Sequence, residues 1–335
     1  MKPALVIAPL ALLLTAASSL LSAEPPKAEV KPAPAPAPVP APPAEARLPE
    51  NLPPELKKKA EEIRTQQASV RDFMKEGKYA EAEKVLRKLI YDFKGMFAAD
   101  NALLPECQGA LGTCLRAQGK AAEAEPEFRA AWQGHLKHSG ADSPETLRLH
   151  NALAETLHEE RKYEDAEKEI KAVIQESERV YGKDHPATLL NRGNLAAVLS
   201  DQGKHAEAEA ELRELIKADE RVMGPASQPT LMARGNLAIT LREEKKLPES
   251  EQEFRSLLQV MDKFPGKDHP DTLTFRYHFV LCLIAEKKIL DAEKQAEAAL
   301  NDAKNKLGAD HPNTKELQLL VTNLNGIPAG SALRR

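Results

Sequence analysis

Residues 182–215 read GKDHPATLLNRGNLAAVLSDQGKHAEAEAELREL. Leu189, Leu195, Ala196 and Leu199 fall on one helical stripe before Gly203, and Ala208, Leu212 and Leu215 fall on another after it. Gly203-Lys204 stands where the first helix must end, and glycine there accepts a left-handed backbone. The turn Gly182-Lys183-Asp184-His185-Pro186 supplies start signals. Asp184 is the expected cap, and Pro186 lies in the first turn, where no intrahelical donor is lost. The stretch therefore predicts two antiparallel helices of four to five turns, neither able to bury its stripe alone.

The unit recurs. Gly77-Lys78, Gly119-Lys120, Arg161-Lys162, Gly203-Lys204, Lys245-Lys246 and Lys287-Lys288 are each 42 residues apart. Each precedes a variant of one phrase: YAEAE, AAEAE, YEDAE, HAEAE, LPESE and ILDAE. A second landmark keeps the register, as Gly140, Gly182, Gly224, Gly266 and Gly308 lead to Thr146, Thr188, Thr230, Thr272 and Thr314. A fixed period of this length means stacked supersecondary units. Six hairpins follow, the first from about Pro54-Glu55. A last helix from Pro312 to about Leu324 sets Leu317, Leu319, Leu320 and Val321 beside Lys315, Glu316 and Gln318, as a cap with one buried and one wet face requires.

Leu111-Gly112-x2-Leu115 followed by Ala124-x3-Phe128-x2-Ala131 resembles the tetratricopeptide repeat, and GKDHPATLLNRGNLAAVL and GKDHPDTL resemble the longer variety found in kinesin light chains. The resemblance spans about residues 55–325. It implies an all-α, right-handed solenoid of six hairpins plus a C-terminal capping helix, whose first helices line a concave groove. It departs from the family where Arg192 and Arg234 replace a large aromatic; their aliphatic stems are expected to cover the hairpin.

The remaining chain divides into a signal segment (1–23), a linker (24–54) and a tail (326–335). Met1-Lys2 precedes an uncharged run from Leu5 to Leu21, with a cleavage point after Ala23 or, with Ala17 three residues before the cut, after Ser19, which predicts export to the periplasm or outside the cell. An uncleaved anchor is the alternative; no later segment is apolar enough to span a bilayer. The linker holds twelve prolines in 31 positions, including PAPAPAPVPAPP, and is expected to extend as polyproline II.

Composition narrows the function. Charged residues are 29%, aromatics 4% and the net charge −4 with the two signs interspersed, so a phosphate-backbone partner is not expected. Cys107, Cys114 and Cys282 form no disulfide framework, and Cys107 and Cys114 lie about 10 Å apart along one predicted helix. No nucleophile elbow, phosphate loop or HExxH occurs, so no catalytic residue, cofactor or metal is expected. His135 and His138 read as a solvated pair without a third ligand, His185, His269 and His311 as turn residues, and the many glutamates as ordinary helix surface.

What remains is recognition of a protein or extended peptide. The family resemblance implies that an asparagine before the first-helix leucine bonds a peptide backbone. Asn194 and Asn236 match it, and His278 holds the same place. Arg148, Asn151, Arg242 and Tyr277 are the neighbouring groove candidates, with Glu155, Glu159, Asp201 and Glu243 making the groove mixed in sign. A structural alternative leaves the groove idle and stacks the solenoids into an envelope assembly, with concentration-dependent oligomers as its mark.

Overall fold

The computed structural model describes residues 54–96 and 103–326. The signal segment, nearly all of the linker and all but the first residue of the tail lie outside the described residues. Helices form six consecutive pairs: α1 (Pro54–Lys75) with α2 (Tyr79–Met96), α3 (Leu103–Ala117) with α4 (Ala121–Ser139), α5 (Pro144–Glu159) with α6 (Tyr163–Tyr181), α7 (Pro186–Asp201) with α8 (His205–Met223), α9 (Gln228–Glu243) with α10 (Leu247–Met261), and α11 (Pro270–Ala285) with α12 (Ile289–Leu307). The capping helix α13 (Pro312–Asn325) follows. Residues from Glu61 onward form one compact unit, and within it the expected hairpins appear in register.

The small residues explain how each hairpin closes. Ala124, Ala166, Ala208, Ser250 and Ala292 are fully buried, and the Ser250 hydroxyl donates to the Ala238 carbonyl across its hairpin at 2.7 Å. Cys107, Cys114 and Cys282 are buried free thiols that act as small apolar residues.

Two turns repeat with the period. At the turn inside each hairpin, Gly77, Gly119 and Gly203 have φ of 71°, 73° and 78°, and Arg161, Lys245 and Lys287 hold the same left-handed backbone at 62°, 65° and 63°. At the turn between hairpins, Gly182 and Gly224 have φ 92° with ψ near 158°, a region essentially closed to side chains. The threonine six residues on reads that turn directly: Thr188 and Thr230 donate to the Gly182 and Gly224 carbonyls at 2.9 and 2.8 Å. The cap differs from expectation. Asp184 pairs with Arg221 at 2.6 Å. Histidine caps the helix instead, with Nδ1 of His185, His269 and His311 accepting the N–H two residues ahead at 3.2, 3.3 and 3.2 Å. Burial lowers the pKa of His185, which favours the neutral ring this cap needs.

The glutamates are not ordinary surface. Each hairpin lends one glutamate to the lysine that follows the next hairpin's inner turn: Glu83–Lys120 at 2.9 Å, Glu125–Lys162 at 2.5 Å, Glu167–Lys204 at 2.7 Å, Glu209–Lys246 at 2.6 Å, and Glu251–Lys288. Each of these glutamates also bonds the cation four residues on, as Glu83 does Arg87 and Glu167 does Lys171. A second ladder acts within hairpins: Gln108–Glu127, His150–Glu169, Arg192–Glu211 and Arg234–Glu253, at 3.4, 2.9, 2.5 and 2.6 Å. Arg192 and Arg234 therefore serve as ion-pair staples as well as stems. His135, expected to be solvated, is buried at 9% exposure.

Two outcomes follow from the turns and the ladder. Arg161→Gly, Lys245→Gly and Lys287→Gly each relieve a left-handed side-chain residue, and each is expected to stabilise by about 0.5–1 kcal/mol in urea titration. A loss of stability would show that these side chains hold the turn. Bonds from Lys120 and Arg87 hold the Glu83 carboxyl at about 2, and bonds from Lys171 and Lys204 hold Glu167 at about 2. Depressed carboxyls stabilise fully above the unfolded value of about 4.3 and lose that contribution as pH falls toward the folded one. The melting temperature should drop between pH 5 and pH 2, with a shallower slope in Glu167→Gln; equal slopes would exclude the ladder.

Candidate groove on the first helices

Successive first helices approach one another: α5 with α7, α7 with α9, α9 with α11, and α11 with α13. The side chains that meet there define one continuous face. It carries the leucine-flanking positions picked out by the sequence, together with the positions one turn further on.

At α3 to α7 this face is a closed polar network. Both oxygens of Glu155 are engaged: Oε2 accepts from Arg116 Nη1 at 2.8 Å, and Oε1 accepts from Asn151 at 2.7 Å and Asn194 at 3.2 Å. Asn194 also donates to Asn151 Oδ1 at 3.4 Å. Arg116 reaches Glu159 at 3.5 Å, and burial raises the Glu159 pKa against that cation. His158 Nε2 lies 2.7 Å from Asp201. Arg148 is exposed and grips Glu145, one turn back, through two nitrogens at 2.8 and 2.6 Å.

At α9 to α13 the face changes. Arg242 bonds Glu243 through Nη2 at 2.6 Å and reaches His278 Nδ1 at 3.4 Å. Burial, with Arg242 beside it, pushes the His278 imidazole down to about 4. Tyr277 and Asn236 are half-buried. The Asn236 backbone carbonyl accepts from Thr240 at 2.9 Å, and among the described residues no hydrogen bond engages its side-chain amide.

The structure thus brings Asn151 and Asn194 together and joins Arg242 with His278 and Tyr277, whose ring centroids lie 5.5 Å apart for the last pair. Arg148 and Asn236 belong to neither cluster. Sequence reasoning missed Arg116 and His158 as members of the face. Their signal was the repeat itself, since Arg116, His158, Ser200 and Arg242 occupy one position at a spacing of 42.

Tetratricopeptide-repeat family profiles match residues 106–145, 140–221 and 194–268. No curated protein matched the sequence. Among solved structures, a putative kinesin light chain of Podosopora anserina with nearly identical repeats is 17% identical over 61% of this chain and 97% of its own, with a TM-score of 0.54. A tetratricopeptide repeat protein of Parabacteroides merdae is 16% identical over 79% of this chain and 99% of its own, TM-score 0.53. NprR in complex with its cognate peptide NprX is 12% identical over 81% of this chain and 76% of its own, TM-score 0.55.

Proposed function

Because this chain is a tetratricopeptide repeat protein, we propose that it is an exported, non-enzymatic scaffold that holds an extended peptide or partner protein against the face of its first helices. The observation that carries this reading is the continuity of that face from α3 to α13, with amide, guanidinium and apolar groups displayed in repeat register. A fold relative, NprR, was solved with its cognate peptide, which supports peptide capture by this architecture. The titratable groups of the face are spent on one another, as in Arg116–Glu155 and His158–Asp201. Such pairs brace helices and leave no base poised beside a nucleophile. Export rests on Met1-Lys2 and the uncharged run Leu5–Leu21, and places the scaffold in the periplasm or outside the cell.

The test is photo-cross-linking in intact cells. A photoreactive residue at Ala197, half-buried on α7 at the position of Glu155 and Ile239, is compared with one at Glu214, which is 63% exposed on α8. Discrete adducts from Ala197 alone, in an envelope or culture-medium fraction, are expected. Equal adducts from both sites would sink the groove reading. A full-length chain retained in the cytoplasm would sink export.

A further inference from the structure

The face of the first helices does not have one chemistry along its length. The row that holds Glu155 on α5 holds Ile239 on α9 and Leu281 on α11, and both of these are half-buried. The row that holds Asn151 on α5 holds Tyr277 on α11 and Leu319 on α13, where Leu319 is 63% exposed. In these two rows the bonded polar pair Asn151 and Glu155 stands on α5 and small Gly193 and Ala197 on α7, whereas Ile239, Tyr277, Leu281 and Leu319 put apolar bulk on α9–α13, with Asn323 at its far end.

Arg242 and His278 leave no free charge beside Ile239 and Leu281. Arg242 is paired with Glu243 at 2.6 Å, and His278 is uncharged near neutral pH, its imidazole held down to about 4 by burial and Arg242. The carboxylate of Glu316 lies on the outer row with Met232 and Thr274. That row is seven residues, about 10 Å along a helix, from the row of Ile239 and Leu281. A charged ligand side chain laid over Ile239 and Leu281 would lose its water without gaining a counter-ion, a cost no contact there repays. Asn236, three residues before Ile239 on α9, is half-buried, and both its amide N–H donors and its carbonyl acceptor are unused by other described residues. One such amide can bond both a carbonyl and an N–H of an extended backbone.

Building on the groove reading above, we propose that the α9–α13 half is the binding subsite, that its occupant is an extended, uncharged segment with apolar side chains, and that the α3–α7 network is a structural brace. Ile239, Leu281 and Leu319 take the apolar side chains, and Asn236 fixes the backbone between them. The occupant's lack of charge matches a stretch whose guanidinium, Arg242, is already paired and whose Glu316 carboxylate stands on the outer row, away from Ile239 and Leu281.

Fluorescence anisotropy on the full chain tests this. The probes are a labelled ten-residue peptide of valine, alanine and serine, and two versions in which aspartate or lysine replaces valine. The uncharged peptide is expected to bind at least tenfold more tightly than either charged one, with less than a twofold change between low and 0.5 M salt. Ile239→Asp should weaken it at least tenfold and Asn236→Ala several-fold, while Arg116→Gln leaves it within twofold. Leu281→Gln serves as a milder second variant, and a melting curve confirms that each variant is folded. Preference for a charged peptide, or loss with Asn194→Ala and not with Asn236→Ala, overturns the subsite and keeps the groove. Failure of the uncharged peptide to bind also overturns it. Peptide binding that no concave-face variant disturbs overturns the groove reading itself.

Discussion

The rest of the structure depends on how closely two helices approach at the small-residue positions of each hairpin. A Cβ added at Gly112 would sit 3.0 Å from the Phe128 ring within its hairpin, and one at Gly235 on α9 would sit 2.0 Å from Phe275 on the first helix of the next hairpin. These gaps, with fully buried Ala154, Ala166, Ala208 and Ala238, leave the larger side chains nowhere to go but the seam with the next hairpin. Leu212 and Leu215 of α8 join one buried cluster with Ala233, Leu237 and Leu241 of α9. A hairpin of this kind is half a core, and stacking is how it becomes whole.

Close stacking brings backbone turns and charged ends into a fixed array, and this is why polar residues also obey the period. The lysine of each inner turn lies over the preceding hairpin because the turn glycine, or a strained arginine or lysine, aims the chain there. Exposed pairs of this kind contribute little singly. Repeated at every junction with the glutamate largely shielded, they fix the stagger of one hairpin on the next. Hydrophobic burial, which is non-directional, cannot do that alone.

The hairpins, their number and the cap were legible in the sequence because helical periodicity and turn glycines are local signals. The glutamate ladder was not, although its residues were the most regular in the chain. Its partners are 37 residues apart, as in Glu83 and Lys120, and glutamate is common enough on helices to hide a fixed position. The histidine caps were hidden for a different reason: aspartate is the stronger capper, and only the turn geometry puts Asp184 one residue too early. At the groove, the sequence marked Asn194 and Asn236 as equals. The structure separates them, because the preceding hairpin offers Asn194 a carboxylate and another amide at Glu155 and Asn151, whereas the same two places before Asn236 hold Gly193 and Ala197, which have no side-chain acceptor.

The seam between α8 and α9 carries that separation into the core. One hairpin earlier, Asn191 donates to Ser177 at 3.0 Å across the equivalent seam. Asp219 and Ala233 hold those two places at the next, and the alanine has no donor to give. Asp219 is 2% exposed with Oδ1 unpaired, and burial raises its carboxyl to about 6. One hairpin further on, Met261 and Phe275 fill the places with apolar bulk, and Phe275 also occupies the space that Gly235 leaves. These two places therefore pass from a bonded polar pair, through an unsatisfied carboxyl, to apolar side chains, beside which Arg276 pairs with Asp262 at 2.8 Å, over the same three hairpins in which the groove passes from polar to apolar. A buried carboxyl oxygen without a donor costs more at this place than a serine would, and His135, which holds the same repeat position two hairpins earlier, also has a buried ring nitrogen without a partner, so the seams of the stack are unevenly satisfied along its length.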